Sequence, residues 1–207
     1  MATHTENPHP TELAAPAAVG IADPAPLGLA AFALTTFVLS CANADILSPT
    51  LKAVVLSTAL FYGGAVQVLA GMWEFKKGNT FGATAFSSYG GFWMAYWGLG
   101  QFFKVGPGIT AADRGHAIGF FLLGWTIFTA IMLLASLRTN GALVAVFTVL
   151  TITFLLLALG DMNGNEGLVK LGGYLGVVTA FLAWYTCAAN LVNETWKRPA
   201  LPLWKIG

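Results

Sequence analysis

The chain has 207 residues, of which 57% are hydrophobic and 9% charged, with a formal net charge of +1. A soluble domain carries roughly 25% charged residues, so this composition excludes an ordinary water-facing surface and points to lipid as the solvent. The near-neutral balance, without a basic cluster, argues against nucleic acid or a polybasic lipid patch as partner.

In chain order, residues 1–26 come first; they are rich in Pro, Ala, Thr and His and contain no Lys or Arg. They lack the basic start of a secretory signal and read as a disordered cytoplasmic tail. A bilayer core takes about 20 apolar residues per helical crossing, and six segments qualify: Leu27–Ala44, Ala53–Trp73, Ala83–Phe103, Gly115–Leu137, Gly141–Gly160 and Leu171–Asn193. All ten Lys and Arg and all nine Asp and Glu fall outside them. The expected fold is therefore an all-α membrane protein, with a six-helix transmembrane domain over 27–194 and a cytoplasmic tail over 195–207. Asp23-Pro24-Ala25-Pro26 places an acceptor and two prolines before the first span, and a residue preceding proline resists α geometry, so that helix is expected to begin near Leu27.

The connector Lys104 to Arg114, with Gly106, Pro107 and Gly108, is the longest and most loop-like. Gly78-Asn79-Thr80-Phe81-Gly82 after the second span is echoed by Gly164-Asn165-Glu166-Gly167 after the fifth, as a 3+3 inverted repeat requires. Cys41 and Cys187 lie inside apolar spans, where they pack as small side chains and need no disulfide. Six crossings put both termini on one side, with Lys76, Lys77, Arg138, Lys197, Arg198 and Lys205. The excess of basic residues there favours cytoplasmic termini in an inner (plasma) membrane.

Catalytic chemistry is thin. His4 and His9 lie in the tail and His116 at the edge of a span, so no grouping with metal-ligand or nucleophile spacing is present; neither an enzyme, a metal nor a cofactor is expected. Uncharged polar residues are better organised. Thr179, Ala183, Thr186, Asn190 and Asn193 form one helical stripe, and Phe32, Thr36, Ser40 and Asn43 form another. Such groups often bond only to neighbouring helices, but two stripes running much of a helix length point to a water-accessible path. The pairs Gly115/Gly119 and Gly172/Gly176 have the spacing that permits close helix contact.

Read together, these motifs resemble a known family. DPAPLGLAAF from Asp23 to Phe32 is similar to the NPAPLGL signature of the acetate uptake transporter family, of the succinate–acetate permease type. FYGG, Gln67, Ala70-Gly71, Glu74, KKGNTFG, Thr84-Ala85-Phe86, Ser88-Tyr89-Gly90 and Phe92-Trp93 resemble its central block, and Ala158 to Gly160, Gly164-Asn165 and Val192-Asn193-Glu194 extend the likeness to about Pro202. Asp23 departs from the signature, which has Asn there.

The resemblance implies a six-helix subunit, assembly as a homohexamer, and transport of acetate, related small monocarboxylates and, in some members, succinate. It also implies a hydrophobic constriction within each protomer, which falls on Phe32, Tyr89 and Leu150, and a size-selecting small residue at Ala183. No Lys or Arg lies within the spans, so neutral donors are expected to coordinate the solute: Thr36, Asn43, Thr84, Ser88, Tyr89 and Asn190, with Gln67, Asn79 and Thr179 along the path. Glu74 reads first as a helix-end ion pair beside Lys76 and Lys77, and second as a substrate contact. The protonated acid crosses an apolar ring more easily than the anion, so transport, as an anion channel or a proton symporter, should rise as pH falls. Two other readings are a channel for neutral solutes such as urea, ammonia or formic acid, and a membrane sensor or scaffold.

Overall fold

The computed structural model describes residues 20–48 and 53–206; most of the predicted N-terminal tail, and Lys52, lie outside them. The described residues form an all-α structure whose helices are α1 (Ala25–Asn43), α2 (Ala53–Lys77), α3 (Thr80–Phe102), α4 (Ala111–Ser136), α5 (Gly141–Asn163) and α6 (Glu166–Thr195). By length and apolarity five of them, all but α3, suffice to cross a bilayer. At 23 residues α3 is long enough, but its Ser, Thr, Gly and Gln dilute its apolar character.

Local chemistry explains the boundaries. α1 begins at Ala25, not near Leu27: the Ala25 N–H donates to Asp23 Oδ1 at 3.0 Å, and Pro26 sits in the first turn, where its missing N–H removes no intrahelical bond. The turns between α2 and α3 and between α5 and α6 are built alike. Gly78 and Gly164 take positive φ (83° and 59°), which glycine accepts without steric cost. Asn79 and Asn165 then cap the next helices by accepting from Gly82 N–H at 3.1 Å and Leu168 N–H at 3.1 Å. Thr110 and Asp113 form a reciprocal capping box at the start of α4.

Within α2, Phe61–Val66 widen to a π-helix. The glycines there meet neighbours directly: a Cβ on Gly63 would lie 2.6 Å from Thr35 Oγ1 of α1, and one on Gly64 2.7 Å from Met94 Cγ of α3. α1 packs along α6, α5 lies between α4 and α6, and α2 runs along α3. A Cβ on Gly173 would come 2.5 Å from Ala44 N, and one on Gly119 2.9 Å from Ala158 O, so these helices touch backbone to backbone, as their small residues permit. α3 and α4 instead meet through rings. Phe92 stacks on Phe121 with centroids 5.7 Å apart and meets Trp125 edge-on at 5.1 Å, each pair worth roughly 0.5–1.5 kcal/mol beyond its buried area.

Large apolar side chains such as Phe61, Phe120 and Leu134 face outward, the arrangement lipid favours. Ion pairs sit at the two ends of the bundle: Lys77–Asp23 at 2.8 Å and Lys170–Asp45 at 2.8 Å. The predicted C-terminal tail is a docked strap, since Gly141 N–H donates to Trp204 O at 2.8 Å and Ile206 N–H to Thr139 O at 3.1 Å.

Candidate functional site

Two chambers lie end to end inside the bundle. The larger, about 320 Å³, opens toward the Asp45 end and is walled mainly by α1, α3, α4 and α5, with Leu56 of α2 and Val169 of α6. The smaller, about 70 Å³, lies toward the Asp23 end. Phe32 of α1 and Leu150 of α5 belong to the walls of both, while Tyr89 of α3 faces the smaller and Phe92 the larger. Phe32, Tyr89 and Leu150 are all buried, each near the middle of its helix, and the rings of Phe32 and Tyr89 are 5.6 Å apart. An apolar partition between two partly polar chambers is the result.

The polar groups on either side are short of partners. Thr36 Oγ1 and Trp93 Nε1, on the larger chamber, are buried without a hydrogen-bond partner. On the smaller chamber both amide atoms of Gln67 and Oε1 of Glu74 are equally unpartnered. A buried polar atom left unpaired costs about 1–3 kcal/mol. Four such side chains aimed into two adjoining spaces mark where a polar solute can be held.

Asn43 joins Thr36 on the larger chamber, so the whole α1 stripe of Phe32, Thr36, Ser40 and Asn43 lines one wall. Gln67, Glu74, Asn79 and Asn190 line the smaller chamber. Thr84 and Ser88 line neither chamber, nor do Thr179 and Ala183. Thr179 and Thr186 donate to the carbonyls of Leu175 and Leu182, at 2.9 and 2.8 Å, and α6 turns this buried side toward its neighbours. Asn193 pairs through both amide atoms with Leu201 of the strap, at 2.8 and 2.9 Å.

One sequence expectation needs correction. Glu74 is fully buried, and its carboxylate accepts from Asn79 Nδ2 at 2.8 Å, while Lys77 pairs with Asp23; it is not a helix-end ion pair. Gly82 permits this, because a Cβ there would lie 2.8 Å from Glu74 Cδ. Arg114 of α4 and Asp161 of α5, both partly exposed, stand where the larger chamber opens at its Asp45 end. Both sit in terminal helical turns, where sequence suggests only a solvated end. Trp93 was missed for a related reason, since a membrane tryptophan reads as packing until its indole N–H proves to be unpartnered.

The model of the GPR1/FUN34/yaaH family matches residues 4–204. Ammonia transport outward protein 2 of Saccharomyces cerevisiae is 45% identical over 84% of this chain and 62% of its own length. The succinate-acetate/proton symporter SatP of Escherichia coli is 38% identical over 88% of this chain and 95% of its own. The solved structure of the bacterial acetate channel SatP superposes with a TM-score of 0.81 at 38% identity, covering 88% of this chain and 99% of that one. The chain spans somewhat under two thirds of the length of the first fungal relatives it matches, 62–63% of each.

Proposed function

The chain belongs to the GPR1/FUN34/yaaH family, and from that premise we propose that it carries acetate and other small monocarboxylates, succinate among them, across a membrane without catalysis. The observation that carries this reading is the pair of chambers joined at Phe32 and Leu150. The solute route then runs within one protomer, from the larger chamber past the Phe32, Tyr89 and Leu150 partition into the smaller.

In this reading α3 is the sixth crossing, shielded from lipid by its neighbours, and the matching turns at Gly78-Asn79 and Gly164-Asn165 support a 3+3 inverted repeat. Outward apolar side chains suit both lipid and assembly into a homohexamer. Both termini face the cytoplasm of a plasma membrane, the side holding Lys76 and Lys77.

The partition sets the energetics. A charge at mid-bilayer depth costs a few kcal/mol on insertion scales, and the partition itself offers apolar side chains and the Tyr89 hydroxyl. The neutral acid avoids most of that cost. Thr36 and Trp93 on one side, and Gln67, Glu74, Asn79 and Asn190 on the other, are placed to hold the carboxyl group before and after it crosses. Thr84, Ser88, Thr179 and Ala183 act from behind the wall, through the position of α3 and α6. Labelled acetate uptake by proteoliposomes under an imposed proton gradient tests the proposal, and uptake no faster than in protein-free liposomes would refute it.

The name of the Saccharomyces cerevisiae relative favours a second reading, ammonia as solute. Ammonia suits an uncharged partition equally well. Competition between ammonia and labelled acetate in the same vesicles separates the two.

A further inference from the structure

A third space, of about 510 Å³, continues the larger chamber outward at the Asp45 end. It shares Asn43, Arg114, Ile118, Asp161 and Val169 with that chamber. These shared residues form the neck between the two spaces. The outer space also holds Asp45, Glu166 and Lys170; Lys170 is paired with Asp45 at 2.8 Å, and Glu166 adds a further carboxylate at this end. Among the described residues lining the larger chamber, Arg114 and Asp161 alone carry charge.

We propose that Arg114 is the capture and charge-selecting residue of this entrance, where it draws the substrate carboxylate into the neck against the opposing field of Asp161. The inference rests on the carboxylate route proposed above. Three features carry it. Arg114 has a fixed position, because its Nε–H donates to the Phe103 carbonyl at 2.9 Å; that anchor uses one of five guanidinium donors and faces a neutral group. The chamber beyond the neck holds two unpartnered donors, Trp93 Nε1 and Thr36 Oγ1, so a carboxylate released by Arg114 meets further hydrogen-bond donors on its way inward. Finally, the low-dielectric neck strengthens contact between guanidinium and carboxylate, while Asp161 beside it and Glu166 outside it leave no net positive field at longer range.

Asp161 gives the proposal its sign. A carboxylate on the same neck opposes anion entry and offers the guanidinium a competing negative charge, so the two residues act in opposite directions on one step. Because the step is capture and not passage through the partition, it moves KM and leaves the maximal rate nearly constant. A neutral solute feels neither charge.

The test uses the whole chain in liposomes at a pH where acetate is ionised, with labelled acetate as solute and thermal unfolding in detergent as the control for folding. Arg114→Gln should raise the KM for acetate roughly fivefold, Asp161→Asn should lower it, and Arg114→Lys should restore most of the capture; the changes are smaller than those of an unopposed focused charge because Asp161 stands on the same neck. The acetate KM of wild type should itself rise with added salt, and that rise should flatten in Arg114→Gln. The maximal rate and the unfolding temperature should stay the same throughout and report that the variants are folded. An unchanged acetate KM in Arg114→Gln, or a fall in maximal rate at unchanged KM, overturns the inference while leaving the carboxylate route standing. No acetate flux in wild type overturns the route and the capture residue with it.

Discussion

The Tyr89 hydroxyl donates a 2.8 Å hydrogen bond to Thr129 Oγ1. The direction follows from the neighbour: Thr129 directs its own proton to the Trp125 carbonyl at 2.7 Å, so its oxygen is left to accept. Tyr89 is thereby tied to α4 while its ring packs against Phe32, Phe128 and Phe147, with centroids 5.6, 5.5 and 6.3 Å away. Tyr89→Phe should keep the partition and cost about 1 kcal/mol of stability from the lost bond, with a modest rise in leak. Tyr89→Ala should join the chambers and raise leak far more. Solute flux in liposomes and thermal unfolding in detergent read the two effects separately.

Leu150 and Ala183 should differ in how they set substrate size. Leu150 stands on both chamber walls, so Leu150→Ala removes part of the partition itself and should raise the ratio of succinate to acetate transport several-fold. Ala183 is fully buried in α6, the helix that packs along α1. Ala183→Ser can return its hydroxyl to a carbonyl of its own helix and should change the ratio little. Ala183→Val overpacks this buried site and must displace a neighbouring helix, at about 1–3 kcal/mol, and should lower the ratio. Equal ratios in Leu150→Ala and wild type would remove Leu150 from the route.

Much of this arrangement was readable in the residues. Charge-free spans located the helices because no buried face offered a charge water, and the α1 stripe pointed to a chamber wall because its side chains do line one. The α6 stripe had the same spacing and a different fate. Thr179 and Thr186 satisfy themselves within their own helix, a choice that periodicity does not reveal. Which of Thr84, Ser87 and Ser88 turns inward depends on the close approach of α2 to α3 at Gly71, where a Cβ would lie 2.7 Å from Ser87 N. Arg114 and Asp161 escaped because terminal helical turns can face water or a neck, and only the packing of α4 on α5 decides between them.

Gly82 should tolerate no side chain. A Cβ there would lie 2.6 Å from Asn79 Nδ2 and 2.8 Å from Glu74 Cδ, so Gly82→Ala must break the hydrogen bond that holds the buried carboxylate. Leaving a buried polar group unpaired costs roughly 1–3 kcal/mol, and the wall of the smaller chamber goes with it. Asn79→Ala should show a comparable loss, since it also removes the cap of α3. Thermal unfolding of the two variants checks this; wild-type stability in Gly82→Ala would mean the contact can relax.

Uptake should depend on pH with a definite sign. An aliphatic carboxyl group titrates near about 4, so the neutral acid is a minor species at pH 7 and grows about tenfold with each unit of acidification. If the partition passes the acid, acetate uptake at constant total concentration rises as external pH falls from 7 to 5, after subtraction of protein-free liposomes. If it passes the anion, uptake stays level over that range, because the anion is then the main species throughout.

The strap formed by residues 196–206 should be part of the fold and not a loose tail. Its carbonyls receive the first free N–H groups of α5, from Gly141 to Trp204 at 2.8 Å and from Ala142 to Leu203 at 3.4 Å, donors that an α-helix cannot satisfy internally. Tyr185 of α6 donates to the Pro202 carbonyl at 2.6 Å and stacks on Trp204 at 5.8 Å. Each hydrogen bond contributes about 0.5–1.5 kcal/mol, so removing residues 199–207 should cost about 3 kcal/mol and lower the unfolding temperature clearly. Trp204→Ala, which keeps the backbone bonds and loses the stack, should give a smaller drop. An unfolding temperature unchanged by the truncation would show that α5 and α6 do not depend on the strap.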